Sequence, residues 1–278
     1  MIFLLLFFIK DIQVFYFRRM QKHLLRLLWA SCLMLVMACS PQIHNQAGNF
    51  DAKFAIDSSL DQQAQADTAF VNIINQYKLG LDSQMNQLVS VTEEAMVAGK
   101  PESLLSNYIA DAMFAIGEAY CLENKLDHGI DLAIINNGGL RTSLPKGDIS
   151  TGKLYELLPF ENKLVIVGMK GSDLLNVLRY IASRNGEGVS GIRMGIKDNE
   201  ALDVKIGGLD LDMNKVYHII SIDYLVNGGD GMNSFEKREN FRHLHMKLRE
   251  SIIANAKALY QSGTGIKSEL DGRIYYEQ

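Results

Sequence analysis

Two glycine-rich turns each place a charged side chain just after an apolar segment. The first turn, residues 136–141 (NNGGLR), ends at Arg141, and the second, residues 227–231 (NGGDG), contains Asp230. Glycine lets the backbone approach a bound group closely and adopt positive φ. Arginine offers a fixed fork of donors for phosphate or sugar oxygens, and an ionised aspartate accepts hydrogen bonds from sugar hydroxyls. The pair indicates phosphate and sugar recognition, although such turns also occur as simple connections.

Two aromatic side chains lie at the ends of predicted strands. Phe160 follows a proline where one strand begins, and Tyr224 follows another strand, six residues before Asp230. Aromatic rings held on loops can stack on both faces of a flat ligand, each face contributing roughly 1 kcal/mol or more. The alternative is that Phe160 is a core residue and Tyr224 part of a capped turn.

Three further motifs follow in a fixed order with the two turns. They are PFEN at 159–162, KGSD at 170–173 and DGR at 271–273. The set resembles the C-terminal domain of the 5'-nucleotidase family of bacteria and animals, and the resemblance spans about residues 70–278. The spaced order of the motifs makes the resemblance more specific than any one of them.

The resemblance also implies which positions contact a ligand. It places a nucleobase between Phe160 and Tyr224, the ribose hydroxyls on Asp230, and two asparagines beside the base. One of these, Asn136, could instead form an Asx-turn. The candidate substrate-binding residues are Asn136, Arg141, Phe160, Asn162, Tyr224 and Asp230.

The sequence departs from the family pattern in an upstream helix that usually presents arginine to the ligand. No arginine occurs between Leu27 and Leu140, and residues 106–108 (SNY) stand where that contact is expected. We therefore expect weaker phosphate affinity than in typical members, or a phosphate contact from a partner.

Catalytic residues are not expected in this chain. Family nucleotidases hydrolyse phosphate with a separate N-terminal metallophosphoesterase domain, whose two metals need histidine and aspartate ligands. The six histidines lack that spacing, and His243 with His245 has no carboxylate cluster to complete a metal site. No cofactor is expected in this chain, and divalent metals are expected on a separate metallophosphoesterase partner. The alternatives are a nucleoside-binding salvage lipoprotein without catalysis and a degenerate structural lipoprotein.

Helices and strands are mixed along the chain, which favours an α/β (α+β mixed) fold with mixed sheets flanked by helices in one domain. The spacing of apolar residues predicts helices over 69–88, 102–123, 149–158, 172–183 and 248–260, with Ser150 or Thr151 and Ser172 as N-caps. Alternating or apolar runs predict strands over 132–136, 164–169, 189–196, 201–206, 216–222 and 273–276.

The N-terminal region reads as a lipoprotein signal peptide. A short basic segment begins at Met20 and is followed by an apolar run that ends at Ala38-Cys39. This run is shorter than a typical membrane-spanning helix. We expect residues 1–38 to be the signal (with 1–19 a start-site extension), Cys39 to be lipidated, 39–67 to be a tether and 68–278 to be the domain. The expected location is the outer membrane, facing the periplasm. A signal anchor or a buried helix is the alternative.

Charge and cysteine content exclude two classes of function. Cleavage before Cys39 removes five basic residues and one acidic residue from totals of 28 and 32, which leaves 23 basic and 31 acidic residues and a net charge of −8. Such a surface repels a nucleic-acid backbone, so DNA or RNA binding is not expected. Cys121 lies in a predicted helix without a histidine pattern and is expected to be a buried structural thiol.

Overall fold

The computed structural model describes residues 68–277. The predicted signal peptide, the lipidation site Cys39 and the tether lie outside the described residues. The helices are α1 Thr68–Met85, α2 Leu104–Glu123, α3 Thr151–Leu157, α4 Gly171–Ser183, α5 Asp223–Val226 and α6 Leu248–Gln261. The strands are β1 Leu88–Thr92, β2 Leu132–Ile135, β3 Gly147–Ser150, β4 Lys163–Lys170, β5 Gly188–Ser190, β6 Ile192–Lys197, β7 Glu200–Ile206, β8 Leu209–Asp210, β9 Val216–Ile222, β10 Asn240–Lys247 and β11 Ile274–Tyr276.

A five-stranded mixed sheet with the order β10-β4-β9-β2-β5 forms the centre of the fold. Strand β9 pairs in parallel with β2 and antiparallel with β4. All four residues of β2 and the six interior residues of β4 are buried, because these strands are apolar on both faces. Helix α2 packs on β2, β5 and β9, while α4 packs on β4 and β9. The predicted mixed α/β class is confirmed.

Two smaller sheets complete the described region. One has the order β11-β6-β7-β8, and the other pairs β1 with β3. The single strand predicted over 189–196 is wrong, because β5 and β6 belong to different sheets. The break falls at Gly191, whose φ is +77° and whose added Cβ would lie 2.3 Å from the Asp131 carbonyl oxygen. Only glycine fits this position, so the chain can turn there from one sheet into the other.

Several predicted boundaries also change. Ile149 pairs with Ser90 in β3, so helix α3 begins only at Thr151, and Ser150 is its N-cap as predicted. The cap assigned to Ser172 is wrong, because helix α4 already begins at Gly171 and Lys170 makes no side-chain capping bond. Helix α1 ends at Met85, before the start of β1.

The side chains of α1 and α2 show opposite burial. In α1 the predicted apolar stripe is exposed within the described residues, as at Ile74 and Tyr77. In α2, by contrast, Cys121 is buried, as predicted. Desolvation raises the pKa of the Cys121 thiol, which disfavours the nucleophilic thiolate. Among the described helices, none combines the length and apolar character that a bilayer span requires.

Candidate functional site

One edge of the central sheet brings the predicted ligand-binding residues together. Strands β2 and β9 are parallel, so both end at this edge, and the antiparallel β4 begins there. Asn136 follows β2, Tyr224 lies in the helical turn after β9, and Phe160 and Asn162 precede β4. The candidate residues thus converge although they lie far apart in sequence.

Asp223 fixes the spacing between the two segments that carry the aromatic rings. Its Oδ1 atom accepts hydrogen bonds from the backbone N–H of Lys163 at 3.0 Å and of Tyr224 at 2.9 Å. Phe160 and Tyr224 are 49% and 45% exposed, and neither ring stacks on another aromatic ring within residues 71–277. Phe160 is therefore not a core residue, and both rings are accessible to a ligand.

The Asp230 carboxylate is held by hydrogen bonds from two sides. Asn136 Nδ2 donates to Oδ2 at 2.6 Å, and the Tyr224 hydroxyl donates to Oδ1 at 2.8 Å. The Tyr180 hydroxyl donates to the Asp230 carbonyl oxygen at 2.6 Å. The bond from Tyr224 to the carboxylate raises the pKa of the Tyr224 hydroxyl. Each carboxylate oxygen keeps a lone pair for a further donor, such as a sugar hydroxyl.

Asn136 presents an acceptor that has no partner among the described residues. Asn136 is 4% exposed, and its side-chain Oδ1 atom is buried without a hydrogen bond within the described residues. No Asx-turn forms, because the Asn136 side chain makes no capping bond to the following turn. Buried acceptors are nearly always satisfied, so this atom is a candidate contact for an N–H or O–H donor of a ligand.

Arg141 and Asn162 make no hydrogen bond to Asn136, Tyr224 or Asp230 within the described residues. The backbone N–H of Arg141 donates to the Leu157 carbonyl oxygen at 2.9 Å, and its exposed guanidinium donates to the Gly138 carbonyl oxygen at 3.2 Å. The remaining guanidinium donors of Arg141 have no partner within residues 71–277. The side-chain amide of Asn162 has no hydrogen-bond partner in the described part of the chain. The backbone carbonyl oxygen of Asn162 accepts from the Leu248 backbone N–H at 2.9 Å.

Sequence reasoning missed a buried carboxylate that supports the first glycine turn. Glu187 is 2% exposed and accepts from the backbone N–H of Asn137 at 2.7 Å. It also accepts from Arg184 Nε at 3.1 Å and from Lys100 Nζ at 3.4 Å. One carboxylate faces two cations, which leaves net positive charge beside the turn. Glu187 thus holds the backbone of the turn that follows Asn136.

The side chains of Lys100 and Arg184 supply positive charge near the turn at which weak phosphate binding was expected. Arg184 lies over the ring of Tyr180, 5.8 Å from its centroid. The segment 106–108, where the family contact was expected, is buried and does not supply one. The only sequence signal for Arg184 and Glu187 was the turn RNGE over 184–187, which resembles an ordinary connection.

Replacing Gly231 with alanine is expected to weaken, about tenfold, binding of the nucleoside that the family resemblance implies. Gly231 has φ +81°, and an added Cβ would lie 2.3 Å from the Tyr180 hydroxyl oxygen, so Tyr180 would move off the Asp230 carbonyl. Gly207→Ala is the matched control, because Gly207 has φ +58° but no atom within 4 Å of the added Cβ. Calorimetric titration with adenosine measures both, and equal affinities would contradict the role of Tyr180.

Metal ligands do not gather in the region that the structure describes. Within residues 68–277, no group of three or more histidine, cysteine, aspartate or glutamate side chains is arranged to hold a metal ion. These residues do not fit a two-metal hydrolytic centre, so we derive no hydrolytic step from them.

The comparisons with known proteins agree with the motifs. The family model described as "5'-nucleotidase, C-terminal domain" matches residues 53–237. The chain is 26% identical over 236 residues to the trifunctional nucleotide phosphoesterase protein YfkN of Bacillus subtilis, covering 77% of this chain and 16% of that protein. It is 27% identical over 250 residues to the 5'-nucleotidase of Rattus norvegicus, covering 78% and 43%.

Structural similarity points to the same family. The crystal structure of the 5'-nucleotidase precursor from Thermus thermophilus aligns with a TM-score of 0.62 at 26% identity, over 76% of this chain and 43% of that one. The chain thus spans less than half the length of these relatives. With the family match covering most of the sequence, the chain belongs to the 5'-nucleotidase C-terminal domain family.

Proposed function

We propose that this chain binds a nucleotide or nucleoside as the specificity half of a 5'-nucleotidase-type phosphohydrolase. The observation that carries the proposal is the doubly anchored Asp230 carboxylate next to the exposed Tyr224 ring. Phe160 lies across the same sheet edge, at a spacing that Asp223 fixes. A flat base enters between the rings, and the ribose hydroxyls donate to the carboxylate.

The remaining polar groups surround this position. The unpartnered Asn136 Oδ1 accepts from the ligand. The side-chain amide of Asn162, which has no hydrogen-bond partner among the described residues, contacts the base. Arg141, with Lys100 and Arg184, gives the rim the positive charge that a phosphate group needs, against an overall negative chain. The upstream arginine of other family members is therefore replaced by cations from different segments.

Hydrolysis in this proposal belongs to a separate metallophosphoesterase chain. Relatives named 5'-nucleotidase and nucleotide phosphoesterase are more than twice as long as the matched region, and the described residues offer no metal-binding group. This chain holds the base and the ribose. The partner carries the divalent metals, which would activate a water molecule for hydrolysis of the phosphate ester.

The purified chain with AMP and divalent metal is expected to bind the nucleotide but to release no inorganic phosphate. Calorimetry measures binding, and a phosphate assay measures release. The Asp230→Ala protein, prepared identically, controls for a contaminating phosphatase, because contamination persists in both preparations. Phosphate release that disappears with Asp230→Ala would show that the chain hydrolyses nucleotides unaided. Absence of AMP and adenosine binding would contradict the proposed site.

We also propose that Cys39 carries a lipid and holds the domain at the outer membrane, facing the periplasm. The support is the apolar run before Ala38-Cys39 and the polar segment that follows. Mass spectrometry of the mature N-terminus tests this, and an unmodified Cys39 in membrane fractions would refute it.

A further inference from the structure

A polar cavity lies away from the nucleotide site, between the loop after α2 and the sheet strands β9, β4 and β10. Its volume is about 440 Å³. Gly168 on β4 pairs with His218 on β9 and with Asn240 on β10, so three adjacent strands form its floor. The middle position has no side chain, and an added Cβ at Gly168 would lie 3.2 Å from Asn240 Nδ2, so the Asn240 amide packs over this glycine. The cavity shares no residue with the Asp230 cluster.

Two histidines from different elements form one wall of this cavity. The rings of His128 and His218 are stacked with centroids 3.6 Å apart and planes inclined by 3°. Burial and the neighbouring His128 lower the pKa of His218, so His218 is largely neutral at pH 7. The contact of His128 Nδ1 with the Gly129 carbonyl oxygen at 3.1 Å makes this nitrogen a donor and leaves Nε2 without a hydrogen-bond partner in the described part of the chain.

The opposite wall carries donors that have no partner in the described region. The Arg242 guanidinium and the side-chain amide of Asn240 line the cavity. Neither side chain forms a hydrogen bond or an ion pair within residues 71–277. Asp131 is already engaged, because it bonds Lys215 Nζ at 2.9 Å and the His218 backbone N–H at 2.8 Å, and its Oδ2 atom lies 3.7 Å from His218 Nδ1. Asp127 is thus the uncommitted carboxylate among the cavity-lining residues.

We propose that this cavity binds a small oxyanion, such as sulfate, phosphate or a phosphate ester, through Arg242, Asn240 and the stacked histidine pair. Arginine recognises oxyanions with paired hydrogen bonds, and the amide adds a neutral donor. A metal ion is a poorer occupant, because no group of three metal-ligating side chains exists within residues 68–277. The proposal does not depend on the nucleotide site.

Binding of the oxyanion is coupled to protonation. The charged or titratable groups that face the histidine pair are Asp127, Asp131, Lys215 and Arg242. A bound anion favours the imidazolium form, so anion binding takes up a proton and strengthens as pH falls through the histidine range.

Sulfate is the probe, because its charge is constant across the pH range in which histidine titrates. In NMR spectra of the full chain, sulfate is expected to shift the signals of His128, His218 and Arg242 saturably, with an affinity several-fold higher near pH 6 than near pH 8. Adenosine is expected to shift none of these signals. Inorganic phosphate in a parallel titration tests whether the site accepts the other common oxyanion.

Two charge changes are expected to act in opposite directions. Arg242→Ala removes the main cation and weakens sulfate binding about tenfold or more, whereas Asp127→Asn removes the opposing charge and tightens it several-fold. Arg193→Ala is the matched control, because Arg193 lies on another sheet over the Tyr275 ring and should leave the affinity unchanged. Equal sulfate affinity in the Arg242→Ala, Asp127→Asn and unchanged chains, or no saturable shift at the cavity, would overturn the proposal.

Discussion

Nucleoside affinity is expected to fall about a hundredfold when Asp230 is replaced by alanine. Hydrogen bonds to a charged acceptor contribute roughly 1.5–3 kcal/mol each, so losing two ribose contacts costs about 3 kcal/mol or more. Isothermal titration with adenosine measures the loss. Asp210→Ala is the control, because Asp210 is exposed and bonds only Lys205 in the described region.

A ligand without ribose hydroxyls isolates the contact. Dideoxyadenosine should bind the unchanged chain about as weakly as adenosine binds the Asp230→Ala chain, and the variant should not distinguish the two ligands. This is a double-mutant cycle between one side chain and the ligand. If Asp230→Ala still prefers adenosine by the original factor, Asp230 does not contact the ribose.

Loss of either aromatic ring is expected to weaken binding of any nucleoside about tenfold. Stacking of a base on an aromatic side chain contributes roughly 1–3 kcal/mol, and it depends little on the base. Each of the two variants, Phe160→Ala and Tyr224→Ala, should therefore reduce the affinity for adenosine about as much as it reduces the affinity for cytidine. Tyr260→Ala is the control, because Tyr260 is an exposed ring on α6 with comparable exposure of 42%.

Tyr224 differs from Phe160 because its hydroxyl also holds Asp230. Tyr224→Phe keeps the ring but removes the bond to Asp230 Oδ1, so its effect should be smaller than that of Tyr224→Ala. The loss of nucleoside affinity should also be larger in Tyr224→Ala than in Phe160→Ala. Full affinity in both alanine variants would place the base elsewhere.

Long apolar segments made most of the fold predictable from sequence. Helix α2 and strands β4 and β9 bury nearly continuous apolar runs, and each was predicted close to its observed bounds. Strand β10 was missed because it is polar and lies at the sheet edge, where one side of the strand is unpaired. Strands β1 and β3 are short and pair across nearly 60 residues of chain, a contact that local periodicity does not encode.

The candidate site was partly predictable for a different reason. Asn136 and Asp230 belong to glycine turns whose composition is visible locally, and the structure joins them by a hydrogen bond across 94 residues. Tyr180, Glu187 and Lys100 were missed, because each acts on a turn that is remote in sequence. Helical or strand spacing predicts which face a side chain occupies but not which distant loop it reaches.

The left-handed backbone of Asp230 has a consequence for kinetics. Its φ is +53°, and this conformation persists because the side chain and the carbonyl oxygen of Asp230 are both bonded to neighbouring elements. The acceptor is already aimed before any guest arrives, so capture requires little ordering of the loop. Association rates should therefore be set by diffusional encounter and by removal of water from the site. Differences in affinity among ligands should appear mainly in their dissociation rates.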